Sequence, residues 1–109
     1  MVRYAQVIHI RPERLAVYRQ LHMAVWPAVL AKIRECNMCN YTIFLQGDHT
    51  LWAYFEYVGD DFEADMAKMA ADPMTQEWWA ICSPMQKPVA EAVPGENWHN
   101  LKKLVPIQA

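Results

Sequence analysis

Residues 41–58 read YTIFLQGDHTLWAYFEYV, two β-rich runs, Tyr41–Gln46 and Leu51–Val58, joined by Gly47-Asp48-His49-Thr50. Aromatic and β-branched side chains suit a pleated surface, and a short Gly- and Asp-containing loop between two such runs makes a hairpin. In the first run Tyr41, Ile43 and Leu45 alternate with Thr42 and Phe44; in the second, Trp52 and Tyr54 alternate with Leu51, Ala53 and Phe55. Both faces of the hairpin are therefore apolar, and both need cover.

Val2–Ile10 alternates in the same way, with Tyr4, Gln6, Ile8 and Ile10 on one face, and reads as a strand. Pro12 suits a first helical turn, and Leu15, Tyr18, Leu21, Val25, Val29 and Ile33 then recur at helical spacing as far as Arg34. Pro27 disfavours α geometry in the residue before it, so this helix should break near Trp26 and restart at Pro27. Asp60-Asp61 caps a helix running to about Ala71, and Pro73 opens another to about Met85. Lys87–Asn97, with Pro88, Pro94 and Gly95, reads as an irregular connection, and Trp98–Val105 as a weaker last strand.

The order β-α-β-β-α-(α)-β predicts the α+β class and a ferredoxin-like split βαβ, one domain over residues 1–109. Helices can cover only one face of such a sheet. A second copy, packed sheet against sheet about a two-fold axis, is the expected cover for the other.

Composition narrows the function. A formal net charge of −2 and no basic run argue against nucleic acid or an anionic membrane surface as partner. No apolar run approaches the roughly 18 residues of a membrane span. Met1–Ile10 alternates instead of forming an apolar block and does not read as a signal peptide. Three cysteines, an odd count, fit reduced thiols and a cytoplasmic location. Cys36-Asn37-Met38-Cys39 follows a helix instead of opening one, so it lacks the dipole that activates a redox thiol, and Cys82 alone does not complete a zinc site.

The chemistry concentrates on one helix face. Tyr18, His22 and Trp26 lie four apart and share a side. His22 falls near the C-terminal end of the first helical segment, where the helix dipole favours a cation and should raise its pKa, making it a better proton donor near neutrality. Trp78 and Trp79 are adjacent on the last helix, about 100° apart, so one should face the core and the other a pocket or partner. Flat aromatic surface beside a proton-transfer group suits a small polar ring such as a sugar. His9 and Glu56, polar on expected central strands, belong either to the site or to the dimer interface; Asp72-Pro73 reads as a helix start, and His49 and His99 as solvated.

Tyr18-x-x-x-His22-x-x-x-Trp26-Pro27, then Asn40-Tyr41, then Gln76-x-Trp78-Trp79, resembles the L-rhamnose mutarotase family over almost the whole chain. The resemblance implies a dimeric α/β barrel that interconverts the α and β anomers of L-rhamnose, or of a related 6-deoxy sugar such as L-fucose, with no metal and no cofactor. It implies that His22 is the catalytic proton donor and that Tyr18, Tyr41, Trp78 and Trp79 bind the sugar; it assigns Trp26 no role. Tyr18 is a poor base at its reference pKa of about 10, so the complementary base stays open between water and His22 itself. Two other readings share the architecture: a cofactor-free or haem-degrading monooxygenase, and a non-catalytic small-ligand-binding domain.

Overall fold

The computed structural model describes residues 1–107. The hairpin is β2 (Met38–Gln46) and β3 (Thr50–Tyr57), and the N-terminal strand is β1 (Val2–Ile10). Two further strands are two residues each, β4 (Gln86–Lys87) and β5 (His99–Asn100). The sheet order is β2-β3-β1-β4, with β5 also on β1, and every pairing is antiparallel. This is the ferredoxin-like arrangement, in the α+β class that the hairpin and helix pattern predicts.

The helices are α1 (Leu15–His22), α2 (Pro27–Glu35), α3 (Phe62–Ala71) and α4 (Pro73–Cys82), with 3-10 turns at Pro12–Arg14 and Ser83–Met85. The break expected at Trp26 is wider than a kink, since α1 ends at His22 and helix resumes only at Pro27. Trp26 takes φ −56, ψ 133, the extended geometry imposed on a residue preceding proline. Asp61 and Asp72 cap α3 and α4, each accepting a backbone N–H from three residues on.

The expected last strand, Trp98–Val105, needs correction. Only His99 and Asn100 pair with β1, opposite Val7 and Gln6, while Lys87, assigned from sequence to the irregular connection, and Gln86 just before it pair with His9 and Ile10. Pro84 and Pro88 flank β4 and lack the N–H a longer ladder needs, so the chain leaves the β1 edge after Lys87 and returns only at His99.

Ile8 sits opposite Leu51, and Tyr4 opposite Phe55. These side chains face the helices. Ile8, Ile10 and Leu51 pack with Tyr18, Val29, Trp78, Cys82 and Met85 in one core cluster, and Cys36, Met38, Phe55 and Met69 form a second. β2 begins three residues earlier than expected and bulges between Cys39 and Thr42, with Asn40 at φ 51. Asparagine tolerates that left-handed geometry, and a bulge re-aims the side chain beside it, here Tyr41. On the opposite sheet face Phe44 is 57% and Trp52 37% exposed.

Candidate active site

A cavity of about 600 Å³ opens between the helices and the inner face of the sheet. Tyr18 and His22 from α1, Tyr41 from β2, and Trp78 and Trp79 from α4 all line it, so the five residues singled out from sequence converge on one space.

His22 owes its place to the end of α1. Because the helix stops there, the ring folds back along its own last turn and its Nδ1 donates to the Tyr18 carbonyl at 2.8 Å. A carbonyl only accepts, so Nδ1 carries a proton and Nε2 is the nitrogen left for a ligand. The ring stacks on Tyr18 with centroids 4.0 Å apart and meets the edge of Trp78 at 5.2 Å. The sequence expectation of a raised pKa is overturned. Burial, the largest influence, lowers the His22 pKa below 6.5, and the bond to the Tyr18 carbonyl opposes it without prevailing. Half-buried among aromatic rings, the imidazole loses more hydration as a cation than one carbonyl and a short helix return.

The tyrosines shift the other way. Burial pushes Tyr18 well above the ordinary phenol value. Tyr41 is 38% exposed as a residue, yet desolvation pushes its hydroxyl up to about 12. Neither ionises near neutrality, so both are available as neutral hydrogen-bonding groups and not as bases.

Trp78 is buried and Trp79 is 42% exposed, the division expected for neighbours on a helix, and both reach the cavity. Trp26 packs on Trp78 with ring centroids 5.2 Å apart at 73°, so it acts as a buttress behind the wall.

Other candidates lie elsewhere. His9 and Glu56 project from the sheet face away from the cavity: His9 contacts the His49 carbonyl, and Glu56 accepts from Asn40 and Tyr54. His49 is exposed beside Asp48, as expected, whereas His99 is half-buried and bonded to Glu96 at 2.8 Å, which corrects its reading as solvated. Cys36 is fully buried with its thiol pKa raised by desolvation, the opposite of an activated redox thiol. Among the described residues no group of three or more His, Cys, Asp or Glu is placed to hold a metal ion.

Sequence reasoning missed two residues of the site. Gln86, buried on β4, donates from Nε2 to the Tyr18 hydroxyl at 3.0 Å and accepts from Asn97 Nδ2 at 2.8 Å. Both fall in a stretch with no periodicity, and nothing in its pattern points to the pocket.

A ferredoxin-like sheet, an aromatic cavity and one histidine with a free ring nitrogen place the chain in the α/β-barrel class with a pocket suited to acid/base chemistry. The family model described as L-rhamnose mutarotase matches residues 3–105, and the chain belongs to that family, whose members are carbohydrate isomerases. An L-fucose mutarotase from Xanthomonas campestris pv. campestris is 30% identical over 93% of this chain and 82% of its own length. An L-rhamnose mutarotase from Rhizobium meliloti is 26% identical over 94% of this chain and all of its own length. The solved structure of an L-rhamnose mutarotase from Formosa agariphila superposes with a TM-score of 0.76 at 17% identity, covering 99% of this chain and 100% of that one. The tetracenomycin F2 cyclase from Streptomyces glaucescens, also 17% identical, superposes at 0.70 over 100% of this chain and 99% of its own, and shares the fold. Among the readings the sequence left open, family membership selects the mutarotase.

Proposed function

We propose that the cavity binds the ring form of L-rhamnose or a related 6-deoxy sugar such as L-fucose, and that His22 carries the proton that opens and recloses the ring. The observation behind this reading is the pinned imidazole: Nδ1 is committed to the Tyr18 carbonyl, and burial keeps the ring neutral, so Nε2 offers a lone pair to the cavity. Nε2 takes the proton of the anomeric hydroxyl. The C1–O1 bond becomes a carbonyl as the C1–O5 bond breaks, and the imidazolium returns its proton to O5. The two oxygens share one carbon, so a single ring nitrogen serves both. Rotation about C1–C2 and the reverse sequence give the other anomer. His22 is then the missing base as well as the proton donor. Such positioned proton transfer supplies about 10²–10⁴-fold.

Tyr18 and Tyr41, neutral throughout, hold sugar oxygens, and the exposed face of Trp79 beside Trp78 suits the apolar C–H face and methyl group of a 6-deoxy sugar. The exposed rings of Phe44 and Trp52 fit a homodimer packed sheet to sheet. Residues 1–109 act as one cytoplasmic catalytic domain; among the described residues no helix is long and apolar enough to cross a membrane.

Exchange NMR on equilibrated L-rhamnose and L-fucose, following magnetisation transfer between anomeric protons, tests this. Accelerated exchange by the unmodified protein, lost in His22→Ala, is the expected result. Acceleration that survives His22→Ala rejects the mechanism, and none with either sugar rejects the substrate class.

A further inference from the structure

We propose that Gln86 is a positioning residue that turns the Tyr18 hydroxyl into a hydrogen-bond donor toward the bound sugar, and that Asn97 sets which way the Gln86 amide faces. This rests on the sugar-binding reading above and specifies how one wall of that site is polarised.

Gln86 is a buried polar side chain that caps no helix end. Thr75, comparably buried, is explained by its bonds to Asp72 at the start of α4. The Gln86 backbone is held in register with Ile10 of β1, and its side chain reaches from this sheet edge to Tyr18 on α1. The amide has two ends of opposite character. Asn97 presents Nδ2 to Oε1, so Nε2 is the end that meets Tyr18. A phenol that accepts from Nε2 keeps its own proton for another partner. Among the described residues the Tyr18 hydroxyl has no second hydrogen bond to protein, and its ring lines the cavity. A neutral donor aimed there stabilises the charge that gathers on a sugar oxygen as the C1–O5 bond breaks.

The orienting end of the relay is anchored. Asn97 belongs to a loop held by Glu96, which accepts from His99 Nδ1 at 2.8 Å and from the backbone N–H groups of Val93 and Asn100, both at 3.2 Å. These donors keep the Glu96 carboxyl at about 2, so it remains ionised and the loop remains tied.

Gln86→Glu tests the polarity. A protonated carboxyl at position 86 can donate to Tyr18 and accept from Asn97, as the amide does. Once ionised it can only accept, so the Tyr18 hydroxyl donates to it and no longer to the sugar. The titratable groups facing this junction are Tyr18 and His22 from α1, Tyr41 from β2 and Cys82 from α4; Tyr18, Tyr41 and Cys82 are all raised by burial. His22 stacks on Tyr18, and His99 and Glu96 hold the loop that carries Asn97, so the introduced charge can also act through them; the Tyr18→Phe background carries the same charge without the phenol hydroxyl and isolates the relay. We expect the ratio of variant to wild-type anomer exchange to stay within about threefold of one at the acid end and to fall at least about tenfold as the introduced carboxyl ionises. In a Tyr18→Phe background the fall should vanish. A ratio independent of pH, or a fall that persists without the phenol hydroxyl, overturns the proposal.

Should Gln86→Glu fail to fold, Asn97→Asp decides. Its carboxylate accepts from Nε2, reverses the amide and turns Oε1 toward Tyr18. Asn97→Asp should therefore exchange anomers more slowly than Asn97→Leu, which leaves the amide free; the reverse order or equality overturns the relay. Absence of exchange by the wild type rejects both the site and the relay, whereas normal wild-type exchange with a flat ratio rejects the relay alone.

Discussion

The two faces of the sheet are built from alternating residues of the same three strands, and they differ in how they treat polar groups. On the inner face and the helices over it most positions are apolar, and the polar groups are oriented by fixed partners, His22 Nδ1 by a carbonyl and Gln86 by Tyr18 and Asn97, with His22 Nε2 and the Tyr18 proton left over. On the outer face polar side chains pair with one another in view of solvent, Glu56 with Asn40 and Tyr54, and Trp52 Nε1 with Gln46 at 2.8 Å. The outer face can rearrange its bonds through water; the inner face cannot. Chemistry therefore gathers where desolvation shifts pKa values and fixes tautomers.

That contrast can be broken in order of expected effect. His22→Ala should reduce anomer exchange by about 10²–10⁴-fold while the thermal melt stays close to wild type, since the ring is only half-buried. Retained activity would remove the distinction between the faces. Trp78→Ala should cost about 3–5 kcal/mol of stability, read by chemical denaturation, because it empties the space between Trp26, His22 and the core. Trp79→Ala, in contrast, should raise KM about tenfold with under about 1 kcal/mol lost, as expected for a surface exposed to ligand. Phe44→Asp, on the outer face, should leave each active site intact and shift the protein from dimer to monomer by light scattering at micromolar concentration. A wild type already monomeric there would contradict the sheet-to-sheet pairing.

Much of this was legible in the sequence, for identifiable reasons. The hairpin declares itself by alternation, and Pro27 declares the helix break that leaves His22 at a terminus. The i, i+4 spacing of Tyr18 and His22 and the adjacency of Trp78 and Trp79 carry directly into the cavity. The last third did not declare itself. β4 and β5 are two residues each, too short for periodicity to register, and Gln86 and Asn97 meet through sheet pairing and a loop anchored at Glu96. The protonation of His22 was misjudged because the helix end is visible in sequence, whereas the aromatic enclosure that outweighs it is a property of the fold.

The most direct test of the central claim, that His22 rests neutral and acts through Nε2, is the pH dependence of kcat/KM for anomer exchange. A folded-state pKa lowered below 6.5 means the unfolded chain takes up this proton first as pH falls, so stability and activity are both full above 6.5 and decline as pH drops through the lowered value. We expect a plateau across neutrality and an acid limb below 6.5 that is absent from the residual rate of His22→Ala. A rate that instead climbs as pH falls through 6.5, as a resting imidazolium donor requires, would contradict it.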